Sequence, residues 1–171
     1  MGCVTATTDH AARWETVPLA PGHPEASALL RQYYVELVAR YYDRPATDAE
    51  VDQVLLDELS DDLVVPTGHF LVVRRDGVPM GCLGVRVLDR DTGELTRMFV
   101  RSEARGQGVA SRLIAAAELA ARDILGVAVL RLDTRKDLVE ARALYAKHGY
   151  REIPAYNDSQ YADHWFEKTL V

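Results

Sequence analysis

A short glycine-containing turn carries the clearest chemical signal in the sequence. It reads Arg105-Gly106-Gln107-Gly108-Val109-Ala110, and a run of apolar residues at helical spacing follows it. Glycine allows backbone angles closed to other residues and lets a ligand approach the main chain. The start of a helix adds free N–H groups and the positive end of its dipole. Together with the Arg105 cation, these features predict a binding site for a phosphate group.

Two widespread phosphate-binding loops do not fit this turn. A Walker loop requires a Lys directly after its second glycine, and neither Gly106 nor Gly108 is followed by Lys. A dinucleotide-binding fingerprint requires a third glycine where Ser111 stands. The strands predicted before the turn are also antiparallel, whereas that fingerprint lies in a parallel sheet. The turn therefore indicates another class of phosphate-binding protein.

The elements around the turn follow from hydrophobic periodicity, which predicts the order β-α-α-β-β-β-α-β-α-β-β. Strands are predicted over 14–19, 69–75, 78–88, 94–100, 127–132, 150–153 and 164–170, and helices over 25–42, 47–59, 107–124 and 138–147. Pro18 places the first strand at a sheet edge. Thr47 and Glu50 form a capping box, and the β-branched strand 127–132 is expected to be buried on both faces.

This order predicts an α/β fold in which four helices flank a mixed, mostly antiparallel twisted sheet of about seven strands. We expect a single domain over 13–171 and a flexible tail over 1–12. The unit from strand 94–100 through the turn and helix to strand 127–132 predicts a right-handed crossover.

Two motifs in register resemble those of the GNAT superfamily of N-acetyltransferases. The first is the R-G-x-G-x-A turn after Glu94-Leu-Thr-Arg-Met-Phe-Val100. The second is Leu132-Asp-Thr134 followed by Glu140-Ala-Arg-Ala-Leu-Tyr-Ala-Lys-His-Gly-Tyr150, which is similar to the family's A-x-x-L-Y-x-x-x-G-[FY] signature. The resemblance implies acetyl-CoA as co-substrate, bound between two splayed strands.

Site residues follow from this resemblance. It implies that main-chain groups of Met98, Phe99 and Val100 align the pantetheine arm. It also implies that N–H groups across Arg105, Gly106, Gln107, Gly108, Val109 and Ala110 hold the pyrophosphate. One departure from the family pattern is the absence of an Asn shortly after Thr134, which weakens the expectation of cofactor contacts from that loop.

Acetyl transfer to an amine needs a base for the ammonium, a polarised carbonyl and an acid for the departing thiolate. Tyr145 matches the Tyr of the family signature, so the resemblance implies that it is the acid; on periodicity alone it is a core residue. Glu94 is the candidate base, because some relatives use a Glu on this strand. It could equally be an exposed carboxylate at a strand end. His164 and a water-relayed deprotonation stay open as alternatives.

Candidate acceptor-binding residues lie in two places. The loop 154–163 and the strand after it are rich in polar and aromatic groups, and we single out Tyr156, Asn157 and His164. Loops of this kind carry specificity, although a solvated turn is the alternative. Tyr33, on the first long helix, is a further candidate, with core packing as its alternative. The five His are scattered without metal-ligand spacing, so we expect no metal.

Composition restricts the partners. The chain of 171 residues carries 20 Lys and Arg against 26 Asp and Glu, a formal charge of −6. This balance disfavours nucleic acid as a partner and mildly favours a cationic substrate. The two cysteines form no disulfide framework. No apolar run approaches a membrane span, and the opening residues lack the pattern of a signal peptide. We therefore expect a cytoplasmic location.

The sequence favours an acetyl-CoA-dependent N-acetyltransferase that modifies a primary amine, expected to be a small molecule, by direct attack. A CoA-binding regulatory module with little or no transferase activity is the alternative. Transfer of longer acyl chains, or hydrolysis of the acyl-CoA, is a lesser one. Many members of the family form dimers, so a homodimer stays open, although no residue here marks an interface.

Overall fold

The computed structural model describes residues 11–171, so most of the tail expected over residues 1–12 lies outside the described residues. Seven strands form one sheet: β1 (Trp14–Pro18), β2 (Gly68–Arg75), β3 (Val78–Val87), β4 (Thr92–Val100), β5 (Val129–Thr134), β6 (Arg151–Ile153) and β7 (His164–Thr169). The helices are α1 (Pro24–Tyr42), α2 (Asp48–Asp57), α3 (Val109–Asp123) and α4 (Val139–Lys147). This confirms the predicted element order and the fold class.

The sheet has the strand order β1-β2-β3-β4-β5-β7-β6. All neighbours are antiparallel except β4 and β5, which the α3 crossover makes parallel. β1 lies at an edge, as Pro18 predicts, and Thr47 with Glu50 forms the predicted capping box at the start of α2. Among residues 11–171 no helix is long and apolar enough to cross a bilayer.

Two hydrophobic clusters cover the two faces of the sheet. The α3 and α4 face includes Leu95, Leu113, Leu130 and Tyr145. The α1 face includes Leu30, Phe70, Val72, Cys82 and Phe99. Only the first half of the apolar stripe of α1 packs on this face. Tyr41, near the C-terminal end of the helix, is 53% exposed. The second half of α1 is therefore free to line a site.

The predicted boundaries differ from those of the structure by at most two residues, and two of these differences bear on the site. α3 starts at Val109 rather than at residue 107, since Gly108 takes the N-cap position with a φ of 77°. β5 runs over Val129–Thr134 rather than 127–132, and its residues alternate between half-buried and fully buried. The expected burial on both faces is absent because only Leu130 and Leu132 enter the core cluster. The alternating residues Arg131 and Asp133 are polar and contact Tyr156 and Asn157.

A bulge in β4 changes which side chains face which cluster. Gly84 pairs with Thr96 but Cys82 pairs with Phe99, so one residue of β3, Leu83, stands opposite two of β4, Arg97 and Met98. Residues four apart in a regular strand share a face, yet Leu95 belongs to the α3 cluster and Phe99 to the α1 cluster. The extra residue is Arg97, with a left-handed φ of 60°.

Candidate active site

A cleft of about 620 Å³ opens where β4 and β5 separate. The two strands are paired only over residues 92–94 and 129–131. Beyond Glu94 no strand of residues 11–171 pairs with β4 on the β5 side, so the N–H and C=O groups of β4 are available there to an extended ligand. This is the splayed geometry expected from the family resemblance.

The glycine turn closes one end of the cleft. Gly106 and Gly108 have φ of 76° and 77°, and a Cβ at either position would have no heavy atom within 4 Å. The first helical hydrogen bond of α3 runs from Arg112 N to Gly108 O. The N–H groups before Arg112 therefore lack helical partners and lie beside open space, as an anion site requires.

Five of the six predicted turn residues line the cleft, together with the predicted strand residues Met98, Phe99 and Val100. Gln107 is the exception, since its side chain bonds away from the cleft, to Glu103 O at 3.0 Å and to Arg75 at 3.2 Å.

An ion-pair chain crosses the mouth of the cleft. Arg105 pairs with Glu36 at 2.6 Å, Glu36 pairs with Arg40 at 3.3 Å, and Arg40 lies 3.5 Å from Glu140. This chain joins the glycine turn to α1 and α4. The sequence did not reveal it, because the partners are dispersed along the chain and meet only through the fold.

Tyr145 lies on the inner wall of the cleft, on α4. It is 6% exposed, and its ring meets those of Tyr150 and Phe166 edge-on or tilted. Burial raises the pKa of its phenol, so the hydroxyl keeps its proton at neutral pH. The hydroxyl makes no hydrogen bond to another residue among 11–171, which leaves it able to donate to a ligand.

Glu94 lies at the inner end of the cleft, at the last paired position of β4. Its side chain is 14% exposed, accepts a 2.8 Å hydrogen bond from the Tyr156 hydroxyl, and lies 3.9 Å from Arg86. Burial raises the pKa of Glu94, while the bond from Tyr156 opposes that rise. A carboxylate with a raised pKa is a better base at neutral pH than an exposed one.

The other predicted acceptor residues are placed differently. Tyr33 lines the cleft, and burial raises its pKa to about 12. Asn157 is not at the cleft surface but donates to Asp133 at 2.8 Å and accepts from Trp165 at 2.9 Å. His164 also lies outside the lining and bonds Glu152 at 2.7 Å. The structure thus brings Tyr33 and Glu94 to the cleft, with Tyr156 behind Glu94, and leaves His164 apart.

Asp133 and Arg97 are cleft residues that the sequence analysis missed. Asp133 follows a buried strand residue in a motif that we interpreted only as part of the family signature. Arg97 is among the lining residues and is the residue that forms the bulge. No group of three or more potential metal ligands occurs within the described range 11–171.

Comparison with known proteins agrees with this geometry. The acetyltransferase (GNAT) family profile matches residues 30–150. An IAA acetyltransferase of Azospirillum brasilense is 38% identical over 92 residues, which cover 53% of this chain and 59% of that relative. The aligned segment thus spans less than two thirds of that relative's length.

Solved structures share the fold. A GNAT acetyltransferase of Staphylococcus aureus has a TM-score of 0.73 at 15% identity, covering 93% of this chain and all of that one. The PaiA N-acetyltransferase of Thermoplasma acidophilum, solved in complex with coenzyme A, has a TM-score of 0.69 at 17% identity, covering 92% of this chain and 99% of that one. The resemblance inferred from the two motifs is confirmed: the chain belongs to the GNAT family of acetyltransferases.

Proposed function

We propose that this protein transfers an acetyl group from acetyl-CoA to the primary amine of a small molecule, by direct attack. The observation that carries the proposal is the separation of β4 and β5 beyond Glu94. The cleft that this separation opens is lined by the glycine turn and by two protonatable side chains, Glu94 and Tyr145. Family membership supports the same class of reaction.

The residues of the cleft suit coenzyme A. The turn offers free N–H groups beside open space, and the unpaired edge of β4 offers main-chain partners to an amide-containing arm. The apolar wall formed by Met98, Leu144 and Tyr145 suits a thioester. Bound acetyl-CoA would supply the electrophilic carbonyl carbon, and the protein supplies the proton donor and acceptor.

Each side chain has one step in this reaction. Glu94 takes a proton from the ammonium, and the free amine nitrogen forms a bond to the thioester carbonyl carbon. The carbon–sulfur bond breaks with its electron pair on sulfur, and the Tyr145 phenol protonates the thiolate. As the amide forms, the nitrogen loses its second proton, which restores the phenol, and Glu94 releases the first proton to solvent. The buried, protonated phenol and the carboxylate with a raised pKa have the protonation tendencies that these two steps need. A cytoplasmic location belongs to the same proposal.

Calorimetric titration with acetyl-CoA tests the binding part of the proposal. Gly108→Trp puts a large side chain in front of the turn. Gly126→Trp is the matched control, because Gly126 has a φ of 71°, has equally open space, and lies beyond the other end of α3. We expect micromolar binding by wild type and Gly126→Trp and none by Gly108→Trp, with circular dichroism confirming that both variants fold. Absence of binding by the wild type would refute the proposal.

Release of CoA in the presence of an amine panel tests the chemical part. Binding of acetyl-CoA without turnover of any amine would favour the alternative, a CoA-binding regulatory module.

A further inference from the structure

Arg97 is a buried arginine without a carboxylate partner. It is 8% exposed, and no Asp or Glu among residues 11–171 forms an ion pair with it. Within the described part of the chain its guanidinium donates only to neutral oxygens: Ser60 Oγ at 3.3 Å, Thr96 Oγ1 at 2.8 Å, and the carbonyl oxygens of Glu58 and Leu59 at 3.4 Å. Because taking a charge out of water is costly unless it is paired, this arrangement favours an anion as the missing partner.

The other arginines that line the cleft are neutralised. Arg40 and Arg105 pair with Glu36, and Arg135 pairs with Asp137 at 2.9 Å. On the neighbouring strand β3, Arg86 pairs with Asp62 through two hydrogen bonds. Among the four lining arginines, Arg97 is therefore the one whose charge the protein leaves uncompensated.

The backbone at Arg97 indicates that the side chain itself is needed. Its φ of 60° is disfavoured for any residue with a Cβ. A glycine would form the same bulge without that strain. A strained non-glycine residue at a cleft is a reason to look for a function of its side chain.

The bulge also puts Arg97 on the same face as Glu94. In a regular strand, residues three apart point to opposite faces. Here the Arg97 guanidinium lies 5.6 Å from the centre of the Tyr34 ring on α1, and Glu94 faces Arg86 on that side of the sheet. Burial raises the pKa values of Glu94 and Tyr33, and the positive charge of Arg97 opposes both rises, so its field reaches these two cleft residues.

Carboxylates and an unpaired cation therefore share the inner end of the cleft. Glu94 and Asp133 stand on the two separating strands, and both line it. Glu94 and Arg97 are three residues apart on β4 and both line the cleft, so one acceptor of amino-acid size is able to contact both.

We propose that the acceptor is a zwitterion of amino-acid type, whose carboxylate binds Arg97 while its ammonium faces Glu94 and Asp133. This proposal rests on the transferase function proposed above. It assigns Arg97 as a specificity-determining residue and narrows the acceptor from any small amine to one that also carries an anionic group.

Matched acceptor pairs test it. Glycine, leucine, phenylalanine, tryptophan and glutamate are each compared with the corresponding α-carboxamide, and kcat/KM is measured from CoA release. In the wild type we expect the acid of at least one pair to exceed its amide by about tenfold or more. In Arg97→Gln the kcat/KM for that acid should fall about 10- to 100-fold, the range for a lost charge-assisted bond, and that for the amide less than about threefold.

The amines of an acid and of its amide differ in basicity. This difference affects wild type and variant equally, so we compare the ratio of kcat/KM for acid and amide between the two proteins. Arg97→Lys keeps the charge and should retain part of the preference even if the bulge is destabilised, which separates recognition from folding. Arg86→Gln removes a guanidinium that Asp62 already neutralises, so it should change acid and amide by the same factor.

Three results would overturn the proposal: a wild-type preference for the amide in every pair, an acid-to-amide ratio unchanged in Arg97→Gln, or equal loss of the preference in Arg86→Gln. If the protein acetylates the amides and shows no preference for the acids, the proposal of a zwitterionic acceptor is refuted, but the proposed transferase function is not. If acetyl-CoA binds and no compound reacts, the transferase function fails. The binding of each acid and its amide to the CoA-loaded protein is then measured by calorimetry. Binding of an acid but not of its amide by the wild type would support a carboxylate site at Arg97, and equal or absent binding would refute it.

Discussion

Removing one hydroxyl should shift the pKa of Glu94. The Tyr156 hydroxyl donates to Glu94 at 2.8 Å and stabilises its charged form against burial. Tyr156→Phe keeps the ring and its contact with Arg131 but deletes this donor. A hydrogen bond to a charged group contributes about 1.5–3 kcal/mol, and one pKa unit corresponds to about 1.36 kcal/mol. The pKa of Glu94 should therefore rise by about one to two units beyond its already raised value.

Carbon-13 NMR titration of the glutamate carboxyls measures this shift directly, with Glu94→Gln identifying the resonance. The shift in pKa should also change how the free energy of unfolding depends on pH. A carboxyl whose folded pKa lies above its unfolded pKa binds more protons in the folded state, so the free energy of unfolding falls as pH rises through that window. The variant's deficit against wild type should be small below about pH 4 and grow to about 1.5–3 kcal/mol once Glu94 is ionised in both proteins.

The same substitution in the Glu94→Gln background is the control. With no titrating group at position 94, the effect of Tyr156→Phe on urea-induced unfolding should not depend on pH in the window where Glu94 titrates. The reasoning would be refuted if the pKa of Glu94 stayed within about 0.3 units of wild type or fell, where a shift of about one to two units is expected. Either result would mean that the hydrogen bond from Tyr156 does not stabilise the ionised form of Glu94.

Three further predictions concern other parts of the cleft and sheet. Tyr145→Phe should lower kcat about 10²- to 10⁴-fold and change the calorimetric Kd for acetyl-CoA less than about threefold; full kcat would exclude Tyr145 as the acid. Glu36→Gln frees Arg105 for phosphate, and because the ion pair is partly exposed the Kd should tighten only about two- to fivefold; weaker binding would contradict this. Gly81→Ala places a Cβ 2.7 Å from a carbonyl oxygen of β4 and should cost about 1–3 kcal/mol in urea denaturation, whereas Gly22→Ala, with open space, should be near neutral.

Local signals explain why much of the fold was predictable. The Thr47 and Glu50 capping box is encoded in four consecutive residues, and both of its hydrogen bonds are present. Pro18 lacks an N–H and so excludes a central strand. The glycine turn needs left-handed angles that its own sequence supplies at Gly106 and Gly108. Each of these features depends on residues that are close together in the chain.

The parts of the site that were not predicted depend on distant residues. Arg97 is not a residue type that marks a left-handed bulge, and the bulge appears only when β4 is set against β3. The start of β5 depends on pairing with β4 and β7 rather than on its β-branched residues. The hydrogen bond from Asn157, a predicted acceptor-binding residue, to Asp133 joins two residues that are 24 positions apart in the sequence.

The bulge explains how one strand could serve two substrates. Before it, Leu95 packs toward α3, and after it Phe99 packs toward α1, so the faces exchange within four residues. Glu94, Thr96 and Arg97 consequently all present polar groups on the α1 side, while Met98 and Val100 pack against the α3 side. A regular strand would have divided Glu94 and Arg97 between opposite faces. In the reaction proposed above, the bulge at Arg97 thus puts the acceptor-binding side chains on the α1 side and the coenzyme-binding residues on the α3 side of a single strand.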